Sequence, residues 1–318
     1  MSHRIVFMGT PDFAVTILHA LMEAEFEIAA VVTVPDRQSG RGLKVTPSPV
    51  KIYAQEHGLP ILQPEKLRDE TFLSQLREIN ADLFIVVAFR MLPQVVWAMP
   101  KLGTFNLHAS LLPQYRGAAP INWAIINGEK ETGVTTFMLN EHIDEGSIIM
   151  QRSIAIGEED NAETIHDRLA ETGARLTVET ARAIFDGTAK ALPQQESAEL
   201  KPAPKIFKQD CVIDWTKEGK DIHNFVRGLS PYPAATTTFV NGKGEVIGVK
   251  IFETRFEKNE HKKEPGSIET DNKKRLKICV KGGLIEILTL QVNGKRKINI
   301  DEFLRGYNIT DWKLGACD

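Results

Sequence analysis

An amide, an imidazole and a hydroxyl follow one another at two-residue intervals in the segment NLHASLLP, residues 106–113. The segment ends a predicted apolar strand and leads into a proline turn. Because side chains two apart on a strand project to the same side, Asn106, His108 and, if the strand extends that far, Ser110 are predicted to converge on one space. Packing gives little reason for such a cluster, so we interpret it as a place where chemistry occurs.

These residue types suit acyl transfer to an amine. Attack on a carbonyl carbon creates an oxyanion, to which the Asn106 amide and a His108 imidazolium can donate hydrogen bonds; one such donor is worth about 3 to 4 kcal/mol. The attacking amine must also lose a proton, and a carboxylate is the usual acceptor. Asp144 lies between two predicted strands and is the preferred carboxylate, with Glu141 and Glu145 as alternatives.

Each of these residues, taken alone, also has an ordinary structural explanation. His108 fits a hydrogen-bonded core histidine, Asn106 fits a cap at the end of a strand, and Asp144 fits a turn. Their combination favours catalysis, because an asparagine and a histidine two apart at a strand end have no packing role.

The elements that must position these side chains are predicted from hydrophobic patterning. Helical patterns at residues 12–24, 49–57 and 69–79 alternate with apolar runs that predict strands at residues 4–8, 27–34, 83–88 and 103–108. This alternation predicts an α/β fold, a doubly wound Rossmann-like parallel sheet. Strands at residues 132–139 and 147–156 and a long helix at residues 162–186 follow.

The phosphate-binding motifs that often accompany such a sheet are missing from the sequence. Pro11 occupies the place of the second glycine in Gly-x-Gly-x-x-Gly, and no P-loop sequence occurs. A dehydrogenase or a P-loop enzyme is therefore disfavoured. A ligand crevice is still expected at the carboxyl ends of the strands, where residues 106–113 should emerge.

The composition and the predicted secondary structure of the sequence change after residue 189. Three prolines and a polar stretch predict a connector, and short strands follow at residues 234–240, 245–254, 276–280 and 284–292. Hairpin turns are predicted at residues 241–242 and 282–283. A small barrel or sandwich is expected, and we favour an OB-like β-barrel. The expected boundaries are residues 1–190, a linker at residues 191–207, and residues 208–318.

Composition limits the remaining possibilities. The 318 residues, 42% hydrophobic and 25% charged, contain no apolar run long enough to cross a bilayer and no secretory leader at the N-terminus, so a cytoplasmic protein is expected. Cys211, Cys279 and Cys317 are predicted to be free thiols. The net charge of −3 is distributed unevenly along the chain. Up to residue 205 there are 19 Lys and Arg and 26 Asp and Glu, whereas after residue 205 there are 20 Lys and Arg and 16 Asp and Glu. The C-terminal part is thus the better candidate for contact with a polyanion, with a solvated lysine-rich face as the alternative.

Residues 106–117 read Asn-x-His-x-Ser-Leu-Leu-Pro-x-x-x-Gly, and Asp144-Glu145-Gly146 follows downstream. By this signature the chain resembles the folate-dependent formyltransferases. The resemblance implies a catalytic trio of Asn106, His108 and Asp144, with 10-formyltetrahydrofolate as the formyl donor and no metal. It also implies folate contacts by four consecutive residues, Ser110, Leu111, Leu112 and Pro113.

Three further features resemble the family members that formylate initiator methionyl-tRNA. They are the run at residues 116–121, the basic segment at residues 35–49, and a C-terminal domain of suitable length. The resemblance implies that Arg37, Arg41 and Lys44 contact the tRNA and that residues 208–318 bind it; a monomer is expected.

Two alternatives remain open from the sequence. One is a formyltransferase of the same core that acts on a small amine such as a sugar nucleotide or glycinamide ribonucleotide. The other is a non-catalytic RNA-binding protein. One departure from the family pattern concerns residues 89–93, Phe-Arg-Met-Leu-Pro, which form a shorter segment with the added charge of Arg90.

Overall fold

The computed structural model describes residues 3–39, 44–195 and 199–315. The chain divides into two compact units. The first consists of Met1–Pro120, Thr132–Ile154 and His166–Ala203, and the second of Ile121–Glu131, Ala155–Ile165 and Pro204–Asp318.

The first part of the chain alternates strands and helices, as predicted. Its elements are β1 (Arg4–Gly9), α1 (Asp12–Glu23), β2 (Glu27–Val32), β3 (Arg37–Ser39), β4 (Lys44–Thr46), α2 (Pro49–Glu56), β5 (Ile61–Leu62), α3 (Glu70–Ile79), β6 (Leu83–Val87), α4 (Gln94–Trp97), β7 (Thr104–His108), α5 (Pro120–Ile126), β8 (Glu131–Met138), β9 (Ile148–Ala155) and α6 (Ala162–Phe185).

Seven of these strands form one sheet in the order β5-β2-β1-β6-β7-β8-β9. The strands from β5 to β7 are parallel, whereas β8 runs antiparallel to β7. The order reverses direction between β1 and β6, which is the arrangement of a doubly wound sheet. The predicted Rossmann-like fold of this part is therefore confirmed. All five residues of β6 are buried, as a parallel strand covered on both faces requires.

Alternation along β7 decides which way its side chains point. Leu107 lies against α6, where a Cβ on Gly173 would come within 2.7 Å of the Leu107 side chain. Asn106 and His108 therefore project from the opposite face of the sheet. Asn106 is in register with Val86 of β6, whose side chain packs with α3 and α4.

The second unit is built on a mainly antiparallel sheet. After a short 3₁₀ helix (Lys208–Cys211), its elements are α7 (Gly219–Leu229), β10 (Ala235–Val240), β11 (Val246–Lys258), β12 (Ile268–Thr270), β13 (Leu276–Val280), β14 (Gly283–Val292), β15 (Lys297–Asn299), α8 (Ile300–Gly306) and β16 (Lys313–Leu314).

The order β12-β13-β14-β11-β10-β16 forms a nearly closed barrel, which confirms the predicted β-barrel. Both predicted hairpins are present, since β10 pairs antiparallel with β11 and β13 with β14. The helices α7 and α8 were not predicted. The buried residues Ile222, Val226 and Leu229 place one face of α7 in the core of the unit.

Two of the three predicted free thiols are confirmed: Cys211 and Cys279 are buried and form no disulfide. Cys317 lies outside the described residues. Within those residues, no helix has the length and apolar character needed to span a bilayer.

Candidate active site

The strand β7 carries the first two residues of the predicted trio and ends with the second. His108 is 7% exposed, and Asn106 is partly buried. Ser110 lies beyond the end of the strand, and its buried hydroxyl donates a hydrogen bond of 2.6 Å to the carbonyl oxygen of Gln114. The strand therefore directs the amide and the imidazole, while the hydroxyl stabilises the following turn.

The two ring nitrogens of His108 have different neighbours. Nε2 lies 2.8 Å from the carbonyl oxygen of Tyr115. Because a carbonyl oxygen can only accept, Nε2 carries a proton and donates it to this bond. Nδ1 lies 3.9 Å from Oδ2 of Asp144. The tautomer of the neutral ring is thus fixed, and Nδ1 is the nitrogen that can gain a proton beside the carboxylate.

Asp144 lies in the loop between β8 and β9, in a left-handed backbone conformation with φ of 55°. Its Oδ2 atom accepts a hydrogen bond of 3.0 Å from the backbone N–H of Gly117. A Cβ on Gly146 would overlap the carbonyl oxygen of Met138, so a glycine is required where the loop returns to the sheet. The loop therefore brings its carboxylate to the turn that follows His108.

The two competing carboxylates point elsewhere. Glu145 accepts a hydrogen bond of 2.9 Å from Arg116, and Glu141 lies 3.9 Å from the exposed ring of His142. Of the three carboxylates considered from the sequence, Asp144 is the one beside His108.

Two side chains from neighbouring strands hold the turn that contains the predicted folate contacts. The Thr135 hydroxyl donates to the carbonyl oxygen of Ser110 at 2.6 Å and accepts from the N–H of Leu112 at 3.1 Å. Gln151 donates to the carbonyl oxygen of Leu112 and to the Thr135 hydroxyl, at 2.8 and 2.9 Å. Sequence reasoning missed both residues, since neither belongs to a recognisable motif.

The expected linker also reaches this site. Lys201 accepts a backbone hydrogen bond from Tyr115 at 2.7 Å, and Ala203 donates one to Arg116 at 2.9 Å. Gln194 contacts the backbone on both sides of Glu145. The sequence predicts an ordinary polar connector at these residues, and no sequence signal distinguishes them from one.

The predicted tRNA contacts lie on the segment at residues 37–46. The backbone of Arg37 pairs with Thr46 and that of Lys44 with Ser39, so these residues belong to a β-hairpin formed by β3 and β4. Arg41 lies outside the described residues.

The base of this hairpin is anchored by buried and partly buried polar groups. Lys51 Nζ lies 2.5 Å from one oxygen of Asp36, and Gln63 donates to the other oxygen at 2.9 Å. The hydroxyls of Thr33 and Ser48 share a buried hydrogen bond of 2.7 Å. The bonds from Lys51 and then Gln63 lower the pKa of Asp36 below its usual 3.8, because they favour the charged carboxylate.

Arg90, the charge that departs from the family pattern, lies beside backbone oxygens. It donates hydrogen bonds to the carbonyl oxygens of Pro64 at 2.8 Å and Glu65 at 3.1 Å. The shortened segment at residues 89–93 is thereby tied to the chain that follows β5. Among the described residues, no group of three or more His, Cys, Asp or Glu side chains is placed to hold a metal ion.

Comparisons with known proteins agree with this fold and point to one family. A family model for Formyl transferase matches residues 3–181, and one for Formyl transferase, C-terminal domain, matches residues 205–308. The methionyl-tRNA formyltransferase of Bacteroides fragilis is 56% identical over 97% of this chain and 96% of its own length. That of Parabacteroides distasonis is 54% identical over 98% of each chain.

Among solved structures, WlaRD, a sugar 3N-formyl transferase, is similar with a TM-score of 0.66 at 22% identity, covering 93% of this chain and 100% of that one. This similarity supports the fold. Because models match both parts of the sequence, and because relatives more than half identical align over nearly their whole length, the chain belongs to the formyl transferase family.

Proposed function

We propose that this protein transfers the formyl group of 10-formyltetrahydrofolate to the free amino group of initiator methionyl-tRNA. The observation that carries the proposal is the placement of His108 Nδ1 3.9 Å from the Asp144 carboxylate, with Asn106 two residues earlier on the same strand. The names of the relatives supply the acceptor, since they are methionyl-tRNA formyltransferases.

In this reaction the neutral amine attacks the formyl carbon and creates an oxyanion. The Asn106 amide and the protonated Nδ1 of His108 donate hydrogen bonds to that oxygen. The amine loses its proton, with Asp144 as the relay, and the bond between the formyl carbon and N10 breaks as N10 is protonated. The products are N-formylmethionyl-tRNA and tetrahydrofolate. Asp144 also faces the His108 ring and helps to orient it.

The formyl donor is proposed to bind against the turn after β7. The turn contains Ser110, Leu111, Leu112 and Pro113, which are the proposed folate contacts. Support comes from the hydrogen bonds by which Thr135 and Gln151 fix the backbone of this turn. The structure of WlaRD, a sugar 3N-formyl transferase with a similar fold, was obtained in the presence of 5-N-formyl-THF, which is a folate.

The acceptor is a polyanion, and two basic regions are proposed to meet it. One is the basic segment at residues 35–49, which contains Arg37, Arg41 and Lys44; the other is residues 208–318, in keeping with the excess of Lys and Arg after residue 205. We propose that the protein acts as a monomer in the cytoplasm, where translation uses its product.

A formylation assay tests the proposal. The full-length protein is incubated with 10-formyltetrahydrofolate and aminoacylated initiator tRNA, and the formylated product is quantified. Rapid formation of N-formylmethionyl-tRNA is the expected result. Turnover of a sugar nucleotide or glycinamide ribonucleotide without turnover of methionyl-tRNA would overturn it.

Replacing Arg41 with Ala should raise the KM for the tRNA and leave folate affinity unchanged. A folate defect instead would contradict the role given to the basic segment at residues 35–49.

A further inference from the structure

We propose that Gln194 is a positioning residue for formyl transfer, acting by holding the loop that carries Asp144. The inference rests on the proposed catalytic role of Asp144. Gln194 follows the last long helix of the first unit, in a polar stretch whose sequence is that of a linker.

The Gln194 side chain closes over the tripeptide Asp144-Glu145-Gly146. Its Nε2 atom donates hydrogen bonds to the carbonyl oxygens of Asp144 at 2.7 Å and Gly146 at 2.9 Å. Its Oε1 atom accepts from Nε of Arg116 at 3.1 Å and from Nη2 at 2.6 Å. A primary amide offers two donors and two acceptor sites, so all four are used. This pattern also fixes the orientation of the amide. If its nitrogen and oxygen were exchanged, the NH₂ group would face the Arg116 donors and the oxygen would face the two carbonyl acceptors.

Arg116 extends the connection to the other side of the site. Its Nη1 atom donates to Glu145 at 2.9 Å, and the next residue, Gly117, donates its N–H to the Asp144 carboxylate at 3.0 Å. The turn after His108 and the loop carrying Asp144 are therefore joined through Gln194 as well as directly. Gln194 contacts backbone carbonyl oxygens on one side and the Arg116 guanidinium on the other.

The loop needs such support because of its own conformation. Residues 141–143 and 145 are exposed, and Asp144 has a left-handed φ of 55°. A left-handed conformation is less favourable for a residue with a Cβ than for glycine, although Asp tolerates it better than most, so contacts with the surroundings help to hold it. A carboxylate that must lie beside an imidazole loses its effect when it shifts by about 1 Å. Hydrogen bonds on both flanking carbonyls oppose that shift.

We call the Gln194 side chain and its four hydrogen bonds the clamp. Two substitutions distinguish its bonds to the loop carbonyls from its bonds to Arg116. Gln194→Ala removes all four hydrogen bonds. Gln194→Glu keeps oxygens for Arg116 and replaces the two donors that face the Asp144 and Gly146 carbonyls, with almost no change of shape. Gln195→Ala is the matched control, since Gln195 is an exposed neighbour of the same type. Each full-length variant is assayed with methionyl-tRNA and 10-formyltetrahydrofolate, and its melting temperature is measured.

We expect kcat to fall by about 10- to 100-fold in Gln194→Ala and at least as far in Gln194→Glu, because both release the loop. The KM values for both substrates should stay within about twofold of the parent, as should the kcat of Gln195→Ala. In an Asp144→Ala background, Gln194→Ala should cost less than about twofold further, because a residue that acts through Asp144 has nothing left to position. A structural role alone would reduce activity equally in both backgrounds.

The outcomes distinguish the two proposals. If Asp144→Ala strongly reduces turnover to a residual, measurable rate while Gln194→Ala and Gln194→Glu keep the parent's turnover, the role given to Gln194 is wrong and the proposed function stands. A full additional loss in the Asp144→Ala background would also overturn the clamp. If the parent protein does not formylate methionyl-tRNA, or if Asp144→Ala turns over normally, the proposed function or the role of Asp144 fails, and the clamp fails with it. Should Gln194→Ala not fold, Gln194→Glu, which preserves volume, decides the question.

Discussion

The Nε2 atom of His108 lies 2.8 Å from the backbone carbonyl oxygen of Tyr115. Nε2 donates its hydrogen bond to this carbonyl oxygen, and the other ring nitrogen, Nδ1, faces Asp144. The orientation of the imidazole is therefore set by a backbone atom seven residues downstream, on the turn that also carries the proposed folate contacts. The position of that turn therefore affects the orientation of the His108 ring.

His108→Ala should lower kcat for formylation by about 100- to 1,000-fold, because it removes a donor to the developing oxyanion. Folate affinity should change little, since the imidazole acts in the transition state. Single-turnover formylation and a folate-binding titration measure the two effects. His142→Ala, at an exposed histidine of the loop that carries Asp144, is the control. Near-normal turnover by His108→Ala would contradict the mechanism.

Lys51→Met should raise the KM for methionyl-tRNA by about 3- to 10-fold. The substitution removes the partner of Asp36 and loosens the base of the β3–β4 hairpin, at a cost of about 1 kcal/mol in tRNA binding. The KM for 10-formyltetrahydrofolate should not change. Lys101→Met, at an exposed lysine before the start of β7, is the matched control. Equal KM values for the tRNA in Lys51→Met and the parent would show that the hairpin needs no such anchor.

Gly146→Ala should destabilise the protein by about 1 to 3 kcal/mol, because the added methyl overlaps the carbonyl oxygen of Met138 and the loop must shift. Turnover should fall with it, since Asp144 is two residues away. Gly306→Ala is the comparison, as a Cβ there meets nothing within 4 Å and its φ is not positive. Denaturant unfolding and the formylation assay provide the measurements. A Gly146→Ala protein as stable and active as Gly306→Ala would refute the prediction.

The free energy of unfolding should fall as the solution becomes acidic, because of His223. Burial, followed by the nearby charge of Arg227, lowers the pKa of His223 below its usual 6.5, although Glu158 and Glu159 oppose the shift. The unfolded chain thus binds a proton at a higher pH than the folded protein. Stability is complete above pH 6.5 and is lost as the pH falls through the lowered pKa, at up to about 1.4 kcal/mol per pH unit.

Unfolding free energies of the parent and of His223→Gln, measured from pH 7.5 to pH 5, test this effect. The parent should lose more stability than the variant over that interval. Parallel curves would show that His223 does not titrate differently in the two states. His142→Gln serves as a control for the loss of an exposed histidine.

Local patterns in the sequence predict most of the first unit. The apolar runs at residues 4–8 and 83–88 become β1 and β6 because a buried parallel strand needs apolar side chains on both faces. The placement of Asn106 and His108 on one side of β7 follows from alternation alone. In the second unit, α7 was not predicted, although its apolar residues have helical spacing. The reason is that short strands and turns dominate the surrounding sequence.

The residue types of the candidate site can be read from the sequence, since the spacing of Asn106 and His108 and the loop of Asp144 are local features. The contacts that hold those groups in place depend on the tertiary fold. The Tyr115 carbonyl, the Gly117 N–H and the Gln194 amide act through backbone atoms or across long separations in the chain. Backbone groups are the same in every residue, and contacts between distant segments depend on how the sheet and its loops pack, so no local pattern could reveal them.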